Sequence, residues 1–185
     1  MKLPIPLILA LLLLLFGCTP EQDCPAITPF TFRGVPISFP QTGWEVNEKY
    51  PNRLFVHGGE LTTDSLVWDS HVRWFLTGVD LFEMDTSVYL KQAKVYGVTF
   101  SLFDERDLTD TGLVAELEKQ LGGKFVFISQ PARKSFYRYS DNCLSVLVHY
   151  GQDKVGLFPR VSFCYGLSED ELTYYANSPG RRWFD

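Results

Sequence analysis

The chain has 185 residues, a formal net charge of −5 at pH 7 and 45% hydrophobic residues. This acidic balance argues against nucleic acid and anionic lipid as partners, because both select clustered positive charge. The length suits one domain with a substantial core, and the aromatic share of 15% is typical of a chain rich in strands.

The N-terminal segment carries the most informative pattern. Lys2 gives a positive start, Leu7 to Phe16 is an unbroken apolar run, and Gly17 precedes Cys18. This pattern predicts a secretory signal peptide over residues 1–17, because the apolar run is shorter than the ~20 residues that span a bilayer. Ending on Gly17-Cys18, the segment resembles a bacterial lipoprotein signal.

That resemblance implies that Cys18 is lipidated, becomes the mature N-terminus and anchors the chain to a membrane of the bacterial cell envelope. Thr19 stands where an aspartate is associated with inner-membrane retention, which favours the outer membrane, on its periplasmic or surface side. Residues 18–29 are predicted to form a proline-rich tether. The remaining residues, 30–185, are predicted to form a single globular domain.

Strand patterns dominate the first half of that domain. Alternating apolar residues bounded by turn residues predict strands at Phe30–Phe32, Ile37–Phe39, Trp44–Val46, Leu54–Val56 and Leu66–Val79. In the last of these runs, alternation puts Asp69, His71 and Arg73 on one face and two tryptophans on the other.

Helix signals follow in the second half. Asp85 can cap a helix from Ser87 to Tyr96, and another helix opens at Asp110 or Thr111 and stops at Gly122-Gly123. A capping box at Ser168 predicts a short helix to about Asn177. The strands predicted between these helices are Val98–Phe103, Phe125–Ile128 and Ser135–Tyr139. The order of elements predicts an α+β fold, a largely antiparallel β-sheet with about three helices packed on it.

The segment from Asn142 to Tyr165 is predicted to be a hairpin that turns at Asp153-Lys154. In that register the apolar residues share one face, and Cys143 lies directly opposite Cys164. Directly opposed residues are close enough for a disulfide, which predicts a Cys143–Cys164 bond. The alternative is that Cys24 bonds to one of these two cysteines, since spacing alone does not fix connectivity.

No motif amounts to a catalytic signature, and Asp69-x-His71-x-Arg73 is the nearest approach to one. On one strand face, the carboxylate could orient the imidazole and set its proton affinity. The alternative interpretation is a solvent-facing strip of charged residues, because no residue is clearly placed to act as a nucleophile. No cysteine–histidine spacing suggests zinc, so neither a metal nor another cofactor is predicted.

Arg181, Arg182 and Trp183 near the C-terminus are candidates for partner binding. Exposed arginine and tryptophan are the residue types that dominate protein–protein hot spots. The same residues could instead dock on their own domain. A partner is therefore expected to be an envelope protein or a small ligand, not nucleic acid.

Two short motifs resemble the opening of the PsbP-like family. They are Ile37-Ser38-Phe39-Pro40 and Gly43-Trp44-Glu45-Val46, and a later Arg160-Val161-Ser162-Phe163 is also similar. The resemblance implies an α-β-α sandwich about an antiparallel sheet. Members of the family typically bind or help to assemble larger complexes at membranes and are not enzymes, and no functional residue carries over.

Two functions follow as hypotheses. The first is a lipid-anchored envelope lipoprotein that acts as a binding or assembly module, including the inhibitor or immunity type, without a catalytic site. The second is a small envelope hydrolase that uses His71 with Asp69. Replacing His71 with alanine would leave a binding module intact and abolish the activity of such an enzyme.

Overall fold

The structure is a computed structural model of the chain. It describes residues 24–50, 54–57, 60–63, 70–77, 85–102, 110–129, 135–153, 156–168 and 170–172. None of the helices in these ranges is long and apolar enough to cross a membrane.

Ten strands and three helices follow one another along the described chain. In chain order they are β1 (Phe30–Phe32), β2 (Val35–Ile37), α1 (Gly43–Lys49), β3 (Leu54–His57), β4 (Glu60–Thr63), β5 (Ser70–Leu76), α2 (Thr86–Gln92), β6 (Val95–Leu102), α3 (Asp110–Leu121), β7 (Val126–Ile128), β8 (Phe136–Asp141), β9 (Leu144–Asp153) and β10 (Gly156–Tyr165).

Eight of the strands form one sheet in the order β3-β4-β5-β6-β10-β9-β8-β7, and every neighbouring pair is antiparallel. Two four-stranded meanders, β3 to β6 and β7 to β10, meet where β6 pairs with β10. Strands β1 and β2 form a separate hairpin. The predicted α+β class with an antiparallel sheet is confirmed.

One face of the sheet, here the apolar face, carries the main hydrophobic core. The hairpin β1–β2 packs on its centre, where the ring of Phe32 lies 4.9 Å from that of Phe100 and 5.2 Å from that of Phe163. Helix α3 adds buried Leu113 and Leu117 to the same core. Helices α1 and α2 contribute further buried residues, so all three helices cover this one face.

Helix α1 replaces the strand predicted at Trp44–Val46. Thr42 caps the helix: its hydroxyl accepts a hydrogen bond from the Glu45 amide at 3.2 Å, and its own amide donates to the Glu45 carboxylate at 2.6 Å. This reciprocal capping box satisfies two amides that a new helix leaves unpaired. The strand prediction was wrong because the Thr-x-x-Glu signal outweighs a three-residue alternation.

The other helix starts agree with the sequence patterns. Asp85 caps α2 by accepting a hydrogen bond from the Ser87 amide at 2.8 Å, and α3 ends where Gly122 adopts a φ of +72°. Helix α2 ends at Gln92 instead of the predicted Tyr96, because β6 already begins at Val95. Ser168 and Glu171 form the predicted capping box at the start of a helical turn, Asp170–Leu172, and the rest of that predicted helix lies outside the described residues.

The β9–β10 hairpin is present, but its register differs from the prediction by two residues. Asp153 pairs with Gly156, which places Ser145 opposite Cys164. A shift of two residues keeps every side chain on its predicted face and changes its neighbour across the ladder. The alternation of the sequence therefore predicts the faces correctly and the partners incorrectly.

The predicted Cys143–Cys164 disulfide was wrong, and the alternative pairing with Cys24 is present. Cys24 and Cys143 are joined, with their Cα atoms 5.6 Å apart, while Cys164 is a buried thiol. The register is the reason: the carbonyl of Cys143 accepts a hydrogen bond from the Gly166 amide at 2.9 Å, two residues beyond Cys164.

The disulfide fixes the beginning of the described chain onto the domain. Beside it, the Tyr165 hydroxyl donates to the carbonyl of Cys24 at 2.7 Å, and the Tyr165 ring stacks on Phe39 with centroids 5.1 Å apart. The Ile27 amide donates to the Phe39 carbonyl at 3.0 Å. Residues 24–29, predicted as the second half of the tether, are thus attached to the domain.

Candidate functional site

The opposite face of the sheet is buried as well, but its centre is polar. Residues of this face alternate with core residues along β6 and β10, where Thr99, Ser101 and Ser162 are all buried. Because polar groups are costly to bury unless they are paired, a polar patch in the middle of a sheet calls for an explanation. We call it the polar face and define it by the residues Arg73, Thr99, Ser101, Arg138, Ser140, Ser145, His149, Arg160 and Ser162.

The strand register arranges these residues in rows that run across the sheet. In the first row, Ser101 of β6 lies opposite Arg160 of β10, which in turn lies opposite His149 of β9. The backbone of His71 in β5 extends the same row, opposite Ser101. Four neighbouring strands thus place serine, arginine and two histidine positions in a single line.

The second row lies two residues along the strands, a distance of roughly 7 Å. Arg73 of β5 is opposite Thr99, which is opposite Ser162. The hydroxyl oxygens of Thr99 and Ser162 are 2.9 Å apart and share a hydrogen bond. Beyond Leu147, this row reaches Arg138 of β8.

Arginines dominate the charge of the polar face. Arg73, Arg138 and Arg160 lie on it, and among the strand positions of this face whose side chains are described there is no aspartate or glutamate. Arg160 lies over the ring of Phe158, 5.0 Å from its centroid. In a chain with a net charge of −5, three arginines thus lie on one face of the sheet.

Arg73 is the arginine whose environment is least satisfied. Its side chain is partly buried, and its Nε atom is inaccessible to water. Within the described part of the chain, that Nε–H finds no hydrogen-bond acceptor. A buried guanidinium donor normally has one, because leaving it unpaired forfeits the hydration it had in water.

Hydrogen bonds along the outer strands complete the polar face. Arg138 Nε donates to the Ser140 hydroxyl at 2.8 Å, and the hydroxyls of Ser140 and Ser145 are 3.2 Å apart. This end of the face is therefore a satisfied network.

Cys164 borders the polar face within a small second core. It is fully buried in a cluster with Phe75, Phe136, Leu147 and Leu172. Burial raises the pKa of the Cys164 thiol far above its usual range, so the thiol stays protonated. A protonated, inaccessible thiol is a poor nucleophile and a poor metal ligand.

The structure brings together only part of the candidate set from the sequence. His71 and Arg73 occupy positions on the same face of β5, as alternation predicts, whereas Asp69 lies outside the described residues. Arg73 is not part of a solvent-facing strip, because β5 is an internal strand and Arg73 is partly buried.

Other predicted sites lie beyond the described ranges. They are Cys18, Arg181, Arg182 and Trp183. Within those ranges, no group of three or more histidine, cysteine, aspartate or glutamate side chains is arranged to hold a metal ion.

Sequence reasoning did not place Ser101 and Arg160 in the same row of the sheet as His71. Each stands in a strand with alternating polar and apolar residues, so the sequence does indicate which positions of β6 and β10 share a polar face. Which of these residues meet depends on the order and register of strands distant in sequence, and a single sequence does not carry that information.

Comparison of the chain with protein-family models, with curated proteins and with solved structures finds no match. The resemblance to the PsbP-like family therefore stays a prediction. What the fold and the site define is a class: an α+β domain with a disulfide-fastened N-terminal segment and a buried, arginine-bearing polar sheet face.

Proposed function

We propose that the chain is a lipid-anchored lipoprotein of the bacterial cell envelope that acts as a binding module, with the polar face as its binding surface. The observation that carries the proposal is the Cys24–Cys143 disulfide, six positions after Cys18. Disulfides persist in oxidising compartments, so a disulfide in the folded domain supports the export that the N-terminal pattern predicts.

The binding role rests on the polar face. Stability alone favours apolar residues at the centre of a sheet whose two faces are both buried, and a polar row there has a cost in desolvation. The thiol of Cys164 is unsuited to nucleophilic chemistry. These properties suit recognition of a ligand better than catalysis.

The anchor is tested by growing cells with an alkyne analogue of palmitate and examining the N-terminal peptide by mass spectrometry. We expect a lipid-modified Cys18 and loss of both lipid and membrane association in Cys18→Ser. Cys164→Ala is the matched control, since it removes a cysteine that has no role in anchoring. An unmodified Cys18 in membrane-bound protein would contradict the proposed anchor.

The binding role is tested by in-cell crosslinking of the tagged chain, followed by mass spectrometry of what co-purifies. We expect one dominant envelope partner or a retained small molecule. Loss of the partner on truncation after Gly180 would point to Arg181, Arg182 and Trp183, which remain predicted contact residues.

The hydrolase alternative gains one observation. The backbone of His71 lies directly across the β5–β6 ladder from Ser101, so a histidine position and a serine position are neighbours on adjacent strands. Ser101 is only 4% exposed, so a substrate would have to enter the buried polar face in order to reach its hydroxyl. An esterase activity of the purified chain that disappears in both His71→Ala and Ser101→Ala would favour the enzyme and overturn the binding module.

A further inference from the structure

We infer that strand β7 is an interaction edge at which two copies of the chain pair, antiparallel and around a two-fold axis, so that their sheets join. The inference goes beyond the proposed function. It depends neither on the lipid anchor nor on a ligand at the polar face.

Strand β7 ends the sheet with one side open. It is the last of the eight strands, and within the described residues it pairs with β8 alone. Every second residue of an edge strand directs its N–H and C=O away from the sheet, where they can pair with another strand. Proteins usually protect such an edge with charged residues, proline or a bulge, and Val126–Ile128 has none of the three.

The exposed side chains of β7 are apolar on both faces of the sheet. Phe127 is 54% exposed and Val126 is 61% exposed, and as successive residues of a strand they point to opposite faces. The third exposed large hydrophobic residue in the described part of the chain, Val88, lies on helix α2. Exposed apolar side chains are thus concentrated at this edge, where a further strand would cover both faces.

The contacts around β7 order it before any partner arrives. The ring of Phe127 lies 5.0 Å from that of Tyr137, which packs against the main core. At the start of the strand, the Phe125 amide donates to the Glu118 carboxylate at 2.9 Å, and Lys124 pairs with the same carboxylate at 2.7 Å. An ordered contact surface loses less conformational entropy on binding.

A second copy of the chain is the occupant that fits this edge. With a two-fold axis at the central residue, Phe127 lies opposite Phe127 of the other copy, and Val126 lies opposite Ile128. Aromatic and β-branched residues are favourable cross-strand pairs. Every neighbouring pair in the sheet is already antiparallel, so this pairing continues its pattern. Because β7 is uncharged, the net charge of −5 on each copy is not concentrated at the contact.

The small size of the contact sets its strength. Three residues of strand extend about 10 Å. Two exposed side chains on each copy bury an area well below the roughly 1,200 Å² of stable interfaces. We therefore expect reversible pairing that depends on protein concentration, not a permanent dimer.

The experiment measures self-association of the full chain by sedimentation equilibrium in density-matched detergent, over a range of protein concentrations. We expect a reversible equilibrium between monomer and dimer. Phe127→Lys should weaken association about tenfold or more, because it puts like charges directly opposite each other, and Val126→Lys is a second variant at the same edge. Val88→Lys is the matched control, since it places the same charge at an exposed apolar position away from β7. Urea unfolding checks that each variant is folded.

Oxidative crosslinking tests the geometry of the pair. In Phe127→Cys the two new thiols would lie opposite each other, so mild oxidation should link two copies through position 127. Val88→Cys should give no such link, and the native thiol of Cys164 is buried. A monomer at every concentration, an unchanged equilibrium in both lysine variants at β7, or a link in Val88→Cys but not in Phe127→Cys would overturn the inference. A crosslink from position 127 to a different protein, with the chain itself monomeric, would overturn self-pairing as well.

Discussion

The disulfide gives the sharpest test of the structure, because the two possible pairings predict different stabilities. Cys24 and Cys143 are 119 positions apart, and on the chain-entropy model a closed loop of that length stabilises the folded state by about 5 kcal/mol. The pairing predicted from the sequence, Cys143 with Cys164, would close a loop of about twenty residues and stabilise by only ~3 kcal/mol. Replacing Cys24 and Cys143 together by serine removes the longer constraint.

The assay is urea unfolding followed by tryptophan fluorescence, with the buried Trp74 as a reporter. With an m-value of about 2 kcal/mol per molar urea, we expect the midpoint to fall by roughly 2.5 M in the double variant. Cys164→Ala should keep the disulfide and lower the midpoint by less than 1 M, since it removes only one buried sulfur atom. A disulfide-linked peptide pair containing Cys164, or a larger loss in Cys164→Ala than in the double variant, would refute the reasoning.

Three further predictions concern single groups. Tyr89→Phe should raise the free energy of unfolding by up to about 1 kcal/mol, because the fully buried Tyr89 hydroxyl finds no hydrogen-bond partner in the described part of the chain. Tyr165→Phe should lower the free energy of unfolding by about 1 kcal/mol, because its hydroxyl bonds to the N-terminal segment are lost. Changes of the same sign in urea unfolding of the two variants would contradict this contrast. Thr42→Ala should lower the free energy of unfolding by about 1 kcal/mol. Hydrogen bonds from Thr42 lower the pKa of Glu45 in the folded state, so the stability that the ionised Glu45 carboxylate contributes is present above pH 4.5 and is lost as pH falls through the lowered pKa. Glu45→Gln should reduce that pH dependence in melting curves between pH 3 and 7, and an unchanged profile would argue against the capping box. Gly166→Ala should lower stability by about 1 kcal/mol, because its φ of +68° is unfavourable for a residue with a Cβ, and a neutral result in the same assay would refute that strain.

Local signals in this sequence predict local structure well. Asp85 and Ser168 mark helix starts because a capping side chain acts within three residues of itself, and the alternation along β9 and β10 assigns their faces. The missed helix at Thr42 carries the same kind of signal, Thr-x-x-Glu, so it could have been predicted from the sequence.

The remaining features depend on contacts between distant parts of the chain. A strand pattern with a period of two is unchanged by a shift of two residues, so it did not identify Ser145 as the neighbour of Cys164. The polar face requires the β6–β10 pairing, which joins two separate meanders. Arg73 becomes a notable residue only when its burial and its unused donor are known, and neither is encoded in its immediate neighbours.

Under the proposed lipid anchor, the Cys24–Cys143 bond would limit how far the domain can lie from a bilayer. With lipid on Cys18, the six chain steps to Cys24 would span at most about 20 Å, and the Cα atoms of the disulfide are 5.6 Å apart, so the turn between β8 and β9 would stay within roughly 26 Å of the membrane surface. Strand β9 has ten residues and carries its far end roughly 34 Å from that turn. Under that anchor, the end of the sheet that carries Cys143 is the one attached to the membrane.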